Sequence, residues 1–265
     1  MSVGDPIIRT ENLTRQFGDL TAVDRLNLAV PRGIIFGFLG PNGAGKSTTI
    51  NMLTGLLPPT AGQAWVNGFH VQKDAIEVKR RIGVVPEGLS LYERLTATEQ
   101  IELVARLHGL ATSEIVRRIP PLLDVLELED SADKIILDYS HGMRKKTALA
   151  CALVHAPEVL FLDEPFEGID PISTRAIKEV LRDMVERRGT TVFFSTHVME
   201  LAERFCDRVG IINKGQLAGL GSIPELRERG GLAEDAPLED VFIHTVGAEV
   251  EDEGLLGWLT GEEAG

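Results

Sequence analysis

Apolar positions early in the chain fall in short runs of strand-like period. Residues 7–13 and 26–30 alternate or run apolar, and Pro31-Arg32-Gly33 marks a turn after the second. Residues 34–39 form one continuous apolar run, which predicts a buried strand. A glycine-rich turn follows, and then a helix-compatible stretch over 46–53. From Thr96 to about Ala152 the period becomes helical. Thr96-Ala97-Thr98-Glu99 fits a capping box, and Ile101, Val104, Ala105, Leu107 and His108 supply an apolar stripe behind it. A second helix is expected over 115–126, bent or broken at Pro120-Pro121, and a third over 143–153.

The last third alternates again. Strands are predicted over 159–162 and 191–195. Between them Ile172, Ala176, Ile177, Val180, Leu181, Met184 and Val185 recur at helical spacing, and Gly189 stands where a C-terminal glycine would stop that helix. Residues 209–213 and 216–220 flank Lys214-Gly215 as a hairpin, and one more short helix is expected over 238–245. Strand and helix alternating in this way imply an α/β fold on a largely parallel sheet, with a helical insertion.

Composition narrows the function. The chain has 265 residues, 25% charged and 43% hydrophobic, enough to bury a core without staples. Its two cysteines, Cys151 and Cys206, make no disulfide framework; both lie in apolar surroundings and are expected as buried thiols in a reducing compartment. The balance of 27 basic against 40 acidic residues, net −13, argues against broad binding to nucleic acid or anionic lipid. No run approaches the roughly 20 apolar residues of a membrane span, and the first residues lack a signal-peptide pattern. The acidic end, 249–265, is expected to be mobile.

Against that background, Gly40-Pro41-Asn42-Gly43-Ala44-Gly45-Lys46-Ser47, followed by Thr48, matches the phosphate-loop pattern. Glycines let successive N–H groups point into one concavity, and the following helix adds its free N-terminal donors. Lys46 would place its charge on the β- and γ-phosphates, and Ser47 a hydroxyl on Mg²⁺. Val159-Leu160-Phe161-Leu162-Asp163-Glu164 reads as an apolar strand ending in two carboxylates. Asp163 would hold Mg²⁺ through water, and Glu164 would act as general base toward the attacking water.

These elements, with what lies between and after them, resemble the ATP-binding subunits of ABC transporters over about residues 7–220. Tyr139-Ser140-His141-Gly142-Met143 stands where that family carries leucine-serine-glycine-glycine-glutamine; Ser140 and Gly142 are kept, while Tyr, His and Met depart from it. Gly168-Ile169-Asp170 looks like the D-loop, Ser195-Thr196-His197 like the switch histidine, and Phe17 like the aromatic residue that stacks on adenine. Glu87, after Val84-Val85-Pro86, occupies the position of the Q-loop glutamine; a carboxylate ligates a hard cation more strongly but donates no N–H. The signature, Glu87 and Leu238-Glu239-Asp240-Val241-Phe242 look most like the ABC-2 type exporter subgroup.

The resemblance implies a phosphate-loop cassette. It would have an N-terminal antiparallel β subdomain, a parallel-sheet RecA-like core and an inserted α-helical subdomain at about 89–154. The ATP-binding domain would cover 5–230, and a short, partly mobile C-terminal extension 231–265. It implies ATP and Mg²⁺ as ligands, with Phe17, residues 40–48, Ser140, Gly142 and Asp170 at the nucleotide, Ser47, Glu87 and Asp163 at the metal, and Glu164 and His197 in hydrolysis. It implies a second ATP-binding subunit, most simply another copy, closing on each ATP through Ser140 and Gly142. Membrane permease subunits would hold the pair at the cytoplasmic face, with no role for nucleic acid. Two other readings stand beside it: a soluble ATPase of the same class acting on ribosomes or DNA, and a small-molecule kinase or GTPase. The single phosphate loop, the absence of heptads and the net −13 count against the first, and the signature and switch histidine against the second. The run Arg144-Lys145-Lys146 is expected to be a solvated helix face, and His141 a helix-entry residue facing solvent or the partner.

Overall fold

The computed structural model describes residues 5–247. In chain order the elements are β1 (Ile8–Phe17), β2 (Leu20–Leu26), β3 (Ala29–Val30), β4 (Ile35–Leu39), α1 (Lys46–Leu53), β5 (Ala61–Val66) and β6 (Phe69–His70). Then come α2 (Ala75–Arg81), β7 (Ile82–Val85), α3 (Ala97–Leu107), α4 (Thr112–Val125), α5 (His141–Leu153) and β8 (Val159–Asp163). The chain continues with α6 (Pro171–Arg188), β9 (Thr191–Thr196), α7 (Met199–Phe205), β10 (Arg208–Asn213), β11 (Gln216–Gly221), α8 (Ile223–Gly230) and α9 (Leu238–Val246).

Two sheets form. A five-stranded antiparallel sheet runs β2-β1-β5-β6, with β3 also on β1. A six-stranded sheet runs β11-β10-β4-β9-β8-β7, parallel throughout except for the β10–β11 hairpin. All five residues of β4 and of β8, and all six of β9, are buried, which is what strands covered on both faces require. On one face Phe36, Phe38 and Phe161 gather around Phe193 at ring separations of 5.3–5.5 Å and meet the antiparallel sheet and α1. On the other face Leu160, Leu162 and Phe194 join one apolar cluster with α3, α4, α5 and α6. The inserted helices therefore share their core with the parallel sheet.

Local chemistry explains most boundaries. Thr96 and Glu99 form the expected reciprocal cap of α3. Gly189, at φ 69°, ends α6 in the left-handed conformation that glycine tolerates best. Lys214 and Gly215 both take positive φ, the two-residue turn that matches strand twist. Leu238 and Val241 of α9 are buried against α7, α8 and the β10–β11 hairpin, so part of the stretch expected as an extension packs on the core. The tail beyond 247 lies outside the described residues.

Four expectations are corrected. The strand predicted over 26–30 is interrupted at Asn27-Leu28, because the Thr10 hydroxyl donates to the Leu26 carbonyl and accepts from the Leu28 N–H, inserting itself in the ladder. Helix α4 runs unbroken through Pro120 and Pro121. Both prolines and Val116 are exposed, so the carbonyls freed by the missing N–H groups open to solvent while Ile115, Ile119 and Leu123 stay buried. Leu107 and Ile172, counted in apolar stripes, are 78% and 75% exposed, whereas their helices bury Ile101 and Ala105, and Ile177, Leu181 and Val185. Cys206 is half-buried rather than sealed like Cys151.

Because this cap satisfies free N–H groups at the start of α3, Thr96→Ala should cost about 1 kcal/mol of stability. Urea denaturation should show that loss, while nucleotide affinity stays within twofold.

Candidate functional site

Four parallel strands end at one edge of the six-stranded sheet, and a candidate residue follows each: Glu87 after β7, Glu164 after β8, His197 after β9 and the phosphate loop after β4. Register keeps these ends level, with Leu39 beside Thr196, Asp163 beside Ser195, and Val85 beside Leu162.

The loop's path demands glycine at two points. A Cβ on Gly40 would stand 2.3 Å from the Ile212 carbonyl oxygen, and one on Gly45 would stand 2.5 Å from that of Ala22. Gly45 also sits at φ 105°, outside the range of ordinary side chains. Ala44 is buried beneath the loop, and its carbonyl accepts from the Gly215 N–H at 3.0 Å. Lys46 turns inward: its ammonium donates to the carbonyls of Gly40 (2.8 Å) and Pro41 (3.2 Å) and lies 3.4 Å from Glu164 Oε1.

The loop forms one wall of a cleft of about 530 Å³. Asn42, Gly43, Gly45, Lys46, Ser47 and Thr48 line it on that side; Glu87, Glu164, Glu167 and His197 face them, and Phe17, Leu20 and Ala22 close one end. Gly40, Pro41 and Ala44 are not among the residues that line the cleft. Ser47 Oγ donates to Glu87 Oε2 at 3.4 Å, so a hydroxyl and a carboxylate already meet where an oxygen-ligated cation would need them. His197 Nδ1 lies 3.0 Å from Glu164 Oε1. Phe17 is 45% exposed at the rim, with the Arg15 guanidinium 4.4 Å above its ring, so one face is engaged by that cation.

Asp163 sits behind the cleft. Its Oδ1 accepts from Ser195 Oγ at 2.5 Å, and that hydroxyl oxygen accepts from the Glu164 N–H at 3.0 Å. Glu164 holds φ 46°, a left-handed backbone for a residue with a side chain. Such local strain persists only where surrounding contacts enforce it.

Three predicted residues stand apart from this cleft. Ser140 is exposed and caps α5 by accepting from the Met143 N–H (3.2 Å). Gly142 packs beside the Gly168 carbonyl. Asp170 caps α6, accepting from the N–H groups of Ile172 (3.1 Å) and Ser173 (2.9 Å). Bonds from Ser173, the side-chain one foremost, hold the Asp170 carboxyl below its ordinary pKa.

The basic run is not a solvated face. Lys145 and Lys146 are both buried. Lys145 donates to the carbonyls of Glu164 (2.6 Å) and Glu167 (2.7 Å). Lys146 pairs with Glu127 at 2.9 Å, and Glu127 Oε2 also lies 2.8 Å from Ser173 Oγ. Only Arg144 behaves nearly as expected, reaching Glu93 at the surface. Glu167, Ser195, Lys145 and Glu127 were not recognised from the sequence, because their partners lie 19 to 46 residues away.

A second cavity of about 440 Å³ lies between β7, α3 and α5, lined in part by Leu56, Lys79, Val84 and Cys151. His108 and His155 stack in it with ring centres 3.6 Å apart. His155 Nε2 lies 2.9 Å from the Ile82 carbonyl, which requires the Nε2–H tautomer and leaves Nδ1 buried without a partner. Burial, and then the His108 ring, push the His155 pKa down to about 4; burial alone lowers that of His108 and raises the Cys151 thiol to about 12.

Comparison with known proteins fits this geometry. A sequence model of the family described as ABC transporter matches residues 23–167. The linearmycin resistance ATP-binding protein LnrL of Bacillus subtilis is 38% identical over 225 residues, 85% of this chain and 72% of that protein. The daunorubicin/doxorubicin resistance ATP-binding protein DrrA of Streptomyces peucetius is 40% identical over 220 residues, 83% of this chain and 66% of its own. The probable multidrug ABC transporter ATP-binding protein YbhF of Escherichia coli is 38% identical over 245 residues, and the chain spans 42% of its length. Among solved structures, an ATP-binding subunit of an ABC transporter superposes with TM-score 0.85 at 31% identity, covering 91% of this chain and 99% of that one. A dimeric ATP-binding cassette bound to ADP and Pi in a post-hydrolysis state does so with TM-score 0.75 at 27% identity, covering 82% and 98%.

The stacked imidazoles make a pH prediction. A histidine whose folded pKa is about 4 against about 6.5 unfolded is held neutral by the fold. The unfolded chain takes up that proton first, so its contribution is present above pH 6.5 and is lost as the pH falls toward 4. After discounting for partial exposure it is on the order of 2 kcal/mol. Urea midpoints measured between pH 7 and pH 4.5 should fall less steeply for His155→Phe than for the parent chain.

Proposed function

The chain belongs to the ABC transporter family of ATP-binding subunits, and from that premise we propose that it hydrolyses Mg²⁺-ATP in a two-subunit sandwich to drive export through membrane permease partners. The observation that carries this reading is the division of the predicted residues. Lys46, Ser47, Glu87, Glu164 and His197 converge on one cleft, while Ser140 and Gly142 sit outside it on the first turn of α5. A second copy would supply that turn to the open side of the cleft, so each subunit would finish the other's site.

Nucleotide would enter with its triphosphate along the N–H groups of the loop and the start of α1. Phe17 would offer its open face to the base. Lys46 now spends its charge on the Gly40 and Pro41 carbonyls and on Glu164. Phosphate oxygens would draw the ammonium away, freeing the Glu164 carboxylate to accept a proton from water. That water would form a bond to the γ-phosphorus as the bond from phosphorus to the β–γ bridging oxygen breaks and ADP leaves. His197 would keep Glu164 aimed through its Nδ1 contact.

The oxygen donors fit a divalent cation. Ser47 and Glu87 would hold Mg²⁺ directly, and Asp163 would do so through water from behind the cleft. Held there, the cation would supply positive charge to neutralise what develops on the phosphates. No cluster of three or more His, Cys, Asp or Glu side chains able to hold a metal occurs among the described residues, so the phosphates would complete the coordination shell.

Export is supported by the resistance proteins among the relatives. No helix among the described residues is long and apolar enough to cross a membrane, so passage would belong to the permease and this chain would sit at its cytoplasmic face. The helices of 89–154 would transmit opening and closing to it.

Glu164→Gln should bind ATP and accumulate as a nucleotide-bound dimer in light scattering; a monomer at saturating ATP would overturn the sandwich. Lys46→Ala should lose nucleotide affinity by at least tenfold in equilibrium titration.

A further inference from the structure

Lys145 is 3% exposed, and its ammonium faces two backbone carbonyls rather than a carboxylate of its own. A buried cation in such a setting is costly unless its bonds are put to use. Both acceptors belong to the turn from Glu164 to Glu167, and that turn begins at the left-handed Glu164 backbone. The turn's own backbone closure is long: the Glu167 N–H reaches the Glu164 carbonyl at 3.4 Å. Lys145 bridges the same two residues at 2.6 and 2.7 Å and is the stronger constraint.

We propose that Lys145 is a positioning residue for hydrolysis: its ammonium clamps the Glu164–Glu167 turn and thereby aims the Glu164 carboxylate into the cleft. The clamp comes from α5, whose first turn carries Ser140 and Gly142. One helix therefore holds both the base of its own site and the turn offered to a second subunit. A shift of α5 on gripping a partner's nucleotide would pass through Lys145 to Glu164. Burial lowers the Lys145 pKa, and Glu167 foremost, then Glu164, Glu87 and Asp163, oppose that shift, so the surrounding carboxylates favour the charged clamp.

The inference rests on the ATPase reading, and the test keeps the two apart. Lys145→Met preserves the packing volume and removes the donors. In steady-state hydrolysis it should lower kcat at least tenfold while KM for ATP and equilibrium ATP affinity stay within threefold. Lys145→Arg, which restores donors, should recover part of kcat. Lys145→Gln, able to reach one carbonyl, serves where the methionine variant melts below assay temperature, and should fall between methionine and the parent. A kcat within threefold of the parent for the variant assayed overturns the clamp. So does a uniform loss in which both variants lack a cooperative melt and bind no nucleotide, because Lys145 would then support the fold as a whole. Glu164→Gln in the same assay is the control. If it hydrolyses normally, the catalytic reading of Glu164 fails; if it is inactive beside a normal Lys145→Met, only the clamp fails.

Discussion

Everything at this site depends on balancing charge out of water. Lys46, Lys145, Asp163 and Glu164 are 6%, 3%, 3% and 9% exposed, and they gather at the ends of β4 and β8. Four charges so placed are tolerable only if each is paired or hydrogen-bonded. Lys46 is held by loop carbonyls and by Glu164, Asp163 by Ser195, and Lys145 by the turn beyond β8. Of these charges, Lys46 and Glu164 line the cleft, while Lys145 and Asp163 are held behind it. The site is thus a set of satisfied contacts, and on the proposed reading a triphosphate would rearrange those of Lys46 and free Glu164.

The fold is arranged to hold that balance steady. Strands β4, β8 and β9 are buried over their full length, and the phenylalanines around Phe193 fix their spacing on one face. On the other face the inserted helices share a continuous apolar cluster with the sheet. The insertion and the sheet are therefore joined by one continuous apolar packing. Helix α5 adds a polar link, since Lys145 and Lys146 tie it to both ends of the segment from Glu164 to Asp170.

The departures from the family's signature have local reasons. Tyr139 is buried, and its hydroxyl donates to the Ser131 carbonyl at 2.5 Å, anchoring the approach to α5. Met143 turns its side chain against the shared apolar cluster. His141 packs beside Gly168, where a Cβ would stand 2.9 Å from its ring, so the first turn of α5 and the segment before Asp170 fit as a matched pair. Glu87 meets Ser47 across the cleft, as a metal ligand in that place would have to.

Much of this was legible in the chain alone. The phosphate loop, the strand ending in Asp163-Glu164, the Thr96 cap and the Lys214-Gly215 turn are encoded within a few adjacent residues, where glycine freedom, capping and apolar period act directly. By those means the sequence settled an α/β fold and the family, and it picked out the residues proposed to hold phosphate. It misjudged the proline pair of α4 and the two lysines of α5, because exposure and burial are properties of the packed whole. Tertiary structure alone decided that Lys145 reaches the turn at Glu164, that Ser195 braces Asp163, and that Ser140 and Gly142 stand apart from the cleft. The physical reason is distance along the chain: a desolvated charge is satisfied by whichever acceptor the folded sheet brings near, and no local pattern records which one that will be.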